Sequence, residues 1–457
     1  MADPVPTGPA AVNTVASDSA PGAQPLPEGR STDAWDRSGR IATAVIASAW
    51  VVMGVLALSR PVFISHDSLS NNVHVWWIAE QLWGGNGVPM HIAPLANGEA
   101  LTFPYASVPW LTSALVWPLL GDRAVTLWLV LGMVATVAAT FWTFPTLRRG
   151  WWAAATLANP SLVISPLLGQ LPFLWAVACC LLAMGSWHRG RTAAAVVLAV
   201  LAQVIHPAVV MPIVAVVVLL WLPFERPERR KPLVGWWLLS AVVSLPAAWA
   251  VFQSPVVAQT SMATQVGALF QTVAMRLLVV LVPMVLVGLQ MQRRRPLPVW
   301  APAALTGVFL VLQVPMFVPF GMDYAWGSLV RNPPATIDRF ADSDGVREGD
   351  TYRVLSAFDG KYGLYAVARA GGVLDAEFFP EGLHRGGFAS VDQYAAFLRQ
   401  RQVDHVVAFD NYTDRYTRSN EPELLRRMAD EGCVGGVRIT RVPGGDGWSL
   451  YDVERGC

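Results

Sequence analysis

The feature that most constrains this chain is a train of apolar runs, each near the length of a membrane crossing, with charges confined to the gaps. From Ile41 to Phe320, 280 residues, there are only 6 acidic and 14 basic side chains. Lipid offers no partner for backbone N–H and C=O groups, so such a chain must cross it as helix, at roughly 20 apolar residues per crossing. Runs of this kind lie near 41–59, 124–146, 151–168, 171–187, 192–206, 208–223, 233–252, 269–290 and 299–318, which predicts about nine spans. Over the whole chain 14% of residues are charged, against roughly 25% in a soluble domain. A net charge of +1 excludes nucleic acid as a partner held by bulk electrostatics.

Residues 1–40 are rich in Ala, Pro, Gly, Ser and Asp without periodicity, and read as a disordered tail. That tail is too long and polar for a signal-peptide n-region, so the first run reads as a signal anchor opening a transmembrane domain over 41–320. Val108 to Leu120 is apolar but only 13 residues long. If it crosses, Arg148-Arg149 falls outside and every later loop inverts. If it lies in the interface, four clusters (Arg148-Arg149, Arg189/Arg191, Arg226 to Lys231 and Arg293 to Arg295) put 11 basic residues on one side, against Arg60 and Arg123 on the other. The positive-inside rule selects the second arrangement. The N-terminus is then cytoplasmic, the loop 60–123 is external, and the C-terminal region lies outside the cytoplasmic membrane.

Charge returns to globular levels after the joint Asn332-Pro333-Pro334. Thr351 to Ala357, Val403 to Phe409, Gly435 to Arg441 and Trp448 to Val453 read as strands. Val391 to Arg401, with Ser390 as N-cap, and Pro422 to Glu431 read as helices. This alternation predicts an α/β domain over 335–457. The fold class is therefore mainly α, a polytopic membrane helical bundle with a C-terminal extracytoplasmic α/β domain. The domain holds no Gly-rich phosphate loop and no nucleophile elbow. Cys433 and Cys457 could pair if it is exported. Cys179 and Cys180 sit in an apolar run as small hydrophobes, and no cysteine spacing points to zinc.

The stretch richest in chemistry follows the first span, at Ser65-His66-Asp67-Ser68-Leu69-Ser70-Asn71-Asn72-Val73-His74. An acidic residue just past the membrane boundary precedes a helix over 70–83, which ends at Gly84-Gly85. A second interfacial helix covers 109–120, and Gly121-Asp122-Arg123 opens the next span. This order resembles the GT-C class of polytopic glycosyltransferases, in which an acidic residue, two juxtamembrane helices and an arginine follow one another in the first external loop. Asn159-Pro160 followed by Leu168-Gly169-Gln170 is similar to the Asn-Pro and Gly-Gln turn of that class, with Pro172 where an acidic residue is usual. Tyr352-Arg353-Val354-Leu355 and Val403 to Val407 look like strands of the external domains of such proteins.

The resemblance implies transfer of a sugar from a polyprenyl-phosphate donor to a cell-envelope glycan or lipid at the outer face. Such transfer needs a base for the acceptor hydroxyl and positive or hydrogen-bonding groups at the departing phosphate. Asp67 is the candidate base; its structural alternative is a turn or N-cap residue. His66 and His74 could polarise the acceptor or touch phosphate, or serve only as interfacial polar residues. Arg276 is the single charge inside a predicted span, so it faces either the donor phosphate or, by snorkelling, the external interface. Arg123, Gln170 and Arg331 complete the set of candidate donor contacts. Some members of the class use a divalent cation, but Asp67 with Glu80 makes no ligand set and no metal residues are assigned. A non-catalytic envelope scaffold or lipid-glycan transporter is the competing reading, although the inverted repeats common in transporters are missing from the sequence.

Overall fold

The computed structural model describes residues 29–65, 68–98, 100–101, 106–252, 298, 300–317, 332, 335–343, 345–355, 361–375, 387–410, 420–443 and 445–457. The chain is mainly helical, with a small C-terminal sheet. Helix α1 (Gly29–Leu58) starts well before Ile41, so the end of the expected tail is helical. An Asp36–Arg40 pair one turn apart supports it there, and Trp151 Nε1 donates to Ser38 Oγ at 3.2 Å. Then come α2 (Ser68–Trp83), a two-residue ribbon of β1 (His91–Ile92) and β2 (Ala100–Leu101), α3 (Ser107–Leu120) and α4 (Arg123–Thr143). The bundle continues through α5 (Gly150–Leu157), α6 (Pro160–Leu167), α7 (Leu171–His188), α8 (Thr192–Ile205), α9 (Pro207–Trp221), α10 (Pro227–Phe252) and α11 (Trp300–Phe317).

Among the described residues four helices are long and apolar enough to cross a membrane: Ala34–Leu58, Arg123–Thr143, Leu171–His188 and Pro227–Ala250. Several expected spans are shorter or broken. The run 151–168 is two helices, because Pro160 has no N–H to continue α5 while the Asn159 side chain accepts from Ser161 N and caps α6. Helices α8 and α9 have 14 and 15 residues and meet at His206. At 1.5 Å per residue each reaches only about two-thirds of the way through a hydrocarbon core. The expected span 269–290 lies outside the described residues.

Side-chain contacts fix the relative depth of the helices. Thr136 Oγ1 donates to Leu174 O at 2.9 Å and Thr143 Oγ1 to Leu181 O at 2.6 Å, each joining α4 to α7 across 38 positions. The two helices therefore run in the same direction, and Leu171 stands level with Met133. Helix α7 begins ten residues, about 15 Å, deeper than α4.

The C-terminal domain comprises α12 (Ala335–Ala341), β3 (Thr351–Leu355), α13 (Lys361–Arg369), β4 (Val373–Leu374), α14 (Val391–Gln400), β5 (His405–Phe409), α15 (Glu421–Glu431), β6 (Cys433–Val434), β7 (Val437–Val442) and β8 (Trp448–Arg455). Its sheet runs β4-β3-β5-β8-β7-β6; the first three strands are parallel and the rest antiparallel. Helices cover both faces, with Ile337, Phe340, Leu364 and Val367 packed on one and Tyr394, Leu398, Leu425 and Met428 on the other. Beneath α14 and α15 the Arg353 guanidinium is fully buried and bonds to Glu421 and, at 2.8 Å, to Asp375. A disulfide joins Cys433 to Cys457.

The domain docks on one end of the bundle. Helix α13 lies on α2. Tyr365 donates to Asp122, Arg369 pairs with the same carboxylate at 3.3 Å, Leu374 N donates to Pro94 O, and Arg60 reaches Asn332 at 2.7 Å. Burial pushes the Asp122 carboxyl up from its ordinary range, with Tyr365 and Arg369 pulling it back. The opposite end carries the clusters at Arg148-Arg149, Arg189/Arg191 and Arg226 to Lys231, held by contacts such as Arg189 over the Trp142 ring and Trp187 Nε1 to Glu225 at 2.6 Å.

Candidate functional site

The sunken start of α7 leaves a recess at the docked end, and α2 and α3 fill it. The polar run at the start of α2 reaches the turn between α6 and α7. Ser65 Oγ donates to Leu167 O, and Asn71 Nδ2 donates to Gly169 O at 3.0 Å. Gly169 has φ +72°, and a Cβ there would sit 2.6 Å from Ser68 N, so only glycine fits this approach. Ser68 Oγ folds back to Phe63 O and accepts from Ser65 N at 2.9 Å, which ties the chain on either side of Asp67 into a tight polar turn. The start of α3 meets the α8–α9 apex, where Ala106 N donates to Ile205 O at 3.2 Å.

Trp110 on α3 joins these pieces. Its Nε1 donates to Asn71 Oδ1 at 2.9 Å, and its ring stacks on His74 at 4.0 Å. His74 is 1% exposed, and its Nδ1 lies 2.7 Å from Ser70 O. Burial drives its pKa down to about 3 against the pull of that carbonyl, so the ring is neutral at physiological pH. A neutral ring that donates to a backbone oxygen supplies no cation to a phosphate.

The other candidates fall as follows. Gln170 is half-buried at the entry to α7, next in sequence to Gly169. Arg123 is exposed at the first position of α4, about 15 Å above Gln170 along the helix axes, so the fold does not bring these two together. His66, Asp67, Arg276 and Arg331 lie outside the described residues. Glu80 is exposed on α2, and among the described residues no group of three or more His, Cys, Asp or Glu could hold a metal ion.

Four polar residues were not singled out as candidates: Ser65, Ser68 and Asn71, which meet the Leu167–Gly169 turn, and Asn72, the next residue on α2. The sequence signal was present, since a polar string broken only by Leu69, immediately before an apolar helix, is unusual for a membrane boundary. Asn72 is the most unusual of the four. It is 1% exposed, and among the described residues neither its amide nitrogen nor its oxygen finds a hydrogen-bond partner. Ser113 on α3 and Thr126 on α4 also keep buried hydroxyls without partners among the described residues.

No family model matches the chain, and a search of the curated proteins finds no match.

Proposed function

We propose that the protein is an integral-membrane, inverting glycosyltransferase of the GT-C type. It would move a sugar from a polyprenyl-phosphate donor to an envelope glycan or lipid. One observation carries this reading. The polar stretch Ser65 to Asn71, which contains Asp67, and the turn Leu167 to Gln170 are about a hundred residues apart in sequence yet are hydrogen-bonded to each other, Ser65 to Leu167 O and Asn71 to Gly169 O, at the floor of the recess. A scaffold has no need of this meeting of polar segments at depth, whereas a transferase has to bring a base to a lipid-borne phosphate.

Asp67 takes the acceptor proton as the phosphate leaves. Gln170 and Asn72 contribute neutral hydrogen bonds, and Arg276, Arg331 and His66 are the groups to meet the developing phosphate charge; Arg123, about 15 Å above this floor, is left outside it. The nine-span arrangement, with the basic end in the cytoplasm and the C-terminal domain outside the cytoplasmic membrane, agrees with the clustering of Arg and Lys at the end opposite the domain. The Cys433–Cys457 disulfide agrees with an oxidising compartment for that domain. The test uses purified protein in lipid bilayers with a panel of radiolabelled polyprenyl-phosphate sugars and envelope acceptors. Asp67→Asn should insert and fold normally while transfer falls about 10²–10⁴-fold. Near-normal transfer in that variant would return Asp67 to a turn residue and leave the mechanism without its base.

A further inference from the structure

The face of the α/β domain turned away from α13 and the bundle carries a groove of about 560 Å³. Its walls are α15 and the outer edge of β7; Tyr451, Ile439 and Ala429 give it an apolar floor. Strand β6 pairs only with Val437 and Arg438, so beyond them β7 has no neighbour on its outer side among the described residues. Arg426 and Arg441 carry guanidinium groups to this opening; Arg438 lines it too, but alternation along β7 sends its side chain to the sheet face opposite Ile439 and Arg441, and Asp430 is the single acid among the lining residues. Arg438 shares its charge with Glu454 at 3.2 Å. The other two make no ion pair among the described residues: Arg426 Nε donates to Pro422 O on its own helix, and Arg441 Nη2 to Ser449 Oγ at 3.2 Å. The Cys433–Cys457 disulfide, next in sequence to the lining residue Gly432, ties β6 to residue 457.

Uncompensated arginines over an apolar floor suit an amphiphilic anion. A guanidinium forks onto a carboxylate, while aromatic and aliphatic surface takes the apolar face of a pyranose ring. An acidic peptide added as an extra strand fits less well, because the free edge is only Ile439 to Val442 and Pro443 follows, shorter than the usual strand of about 5–6 residues. We propose that this groove binds a uronate-bearing polysaccharide and retains it beside the membrane domain. Its role as acceptor rests on the glycosyltransferase reading; the binding itself does not.

The test is calorimetric titration of the full-length protein in neutral-lipid nanodiscs with an oligogalacturonate. A maltooligosaccharide of equal length, an oligoglutamate and inorganic polyphosphate serve as comparisons. The oligogalacturonate should bind, with affinity falling as sodium chloride rises, and the uncharged oligosaccharide should not. Arg426→Ala with Arg441→Ala should weaken binding about tenfold or more, the scale of one or two charged hydrogen bonds. Arg427→Ala, on α15 but outside the groove, should leave it unchanged. If the double variant fails to fold, Arg441→Gln alone, on an exposed strand edge, should still weaken binding. Equal binding of the maltooligosaccharide, tighter binding of oligoglutamate or polyphosphate, or unchanged affinity in either arginine variant overturns the proposal. Asp67→Asn should bind the oligogalacturonate as the parent does, so lost transfer with intact binding removes only the transferase reading.

Discussion

Asn72 holds a primary amide at 1% exposure with both polar ends unbonded among the described residues, in the first turns of the helix that follows Asp67. A buried amide in that condition costs about 1–3 kcal/mol, and such a cost is usually tolerated where a site needs the group. Asn72→Leu keeps the volume and removes the unmet hydrogen bonds, so its thermal midpoint in detergent should hold or rise while sugar transfer falls. A drop in both together would make Asn72 a packing residue. His74 calls for a different measurement. Its folded pKa is about 3 and its unfolded value near 6.5, so its contribution to stability is intact above 6.5 and is lost as the pH falls towards 3. Between pH 7 and 5 this should remove about 2 kcal/mol. Melting curves at the two pH values should converge for His74→Phe, which keeps a ring against Trp110 and cannot charge; parallel loss in parent and variant would sink the assignment. The sequence showed His74 as an ionisable group beside a membrane and could not show the Trp110 ring that buries it, because their contact depends on how α2 crosses α3.

The helices were largely legible, because apolar length and charge placement are properties of the chain alone. Helix α2 was expected over 70–83 and runs 68–83; α3 was expected over 109–120 and runs 107–120. The Ser390 cap of α14 is present as its side chain predicts, accepting from Gln393 N. Relative depth was not legible. It depends on which carbonyl Thr136 and Thr143 reach, and the apolar runs of α4 and α7 would fit a bilayer at any offset. Helix α13 was missed because Gly363 inside Lys361 to Arg369 weakens its helical signal; in the fold that glycine lets the helix approach Val354, 3.2 Å from where a Cβ would be. The recess predicts a sharp contrast between two glycines. Gly169 and Gly190 both have positive φ, at +72° and +75°, but only Gly169 has backbone against it, whereas nothing lies within 4 Å of a Cβ at Gly190. Gly190→Ala should lose only the backbone contribution, about 1–2 kcal/mol. Gly169→Ala should lose clearly more and abolish transfer, by forcing Ser68 off the turn. Equal destabilisation in thermal unfolding would mean that the α2 contact with this turn is soft.

At the scale of the whole molecule, the docked α/β domain and the basic clusters occupy opposite ends of the bundle, and this separation turns a rule about sequence into a statement about sidedness. Lys and Arg beside spans are retained in the cytoplasm, so the end with Arg148-Arg149, Arg189/Arg191 and Arg226 to Lys231 should face inward. The domain at the other end contains a disulfide closing a 24-residue separation, a cross-link worth about 3 kcal/mol or somewhat more on the chain-entropy account; it persists where the surroundings are oxidising. Charge and redox chemistry are independent, and they point the same way. Glu228 at the basic end and Asp392 on α14 are both exposed, so each can carry a reporter thiol without disturbing the core. In a background lacking Cys179 and Cys180, Asp392→Cys should react with a membrane-impermeant maleimide in intact cells. Glu228→Cys should react only after permeabilisation, and the Cys433–Cys457 pair should stay silent until reduced. Labelling of Glu228→Cys in intact cells would reverse the orientation. The recess would then open to the cytoplasm, and the donor chemistry would have to be sought on the other face of the membrane.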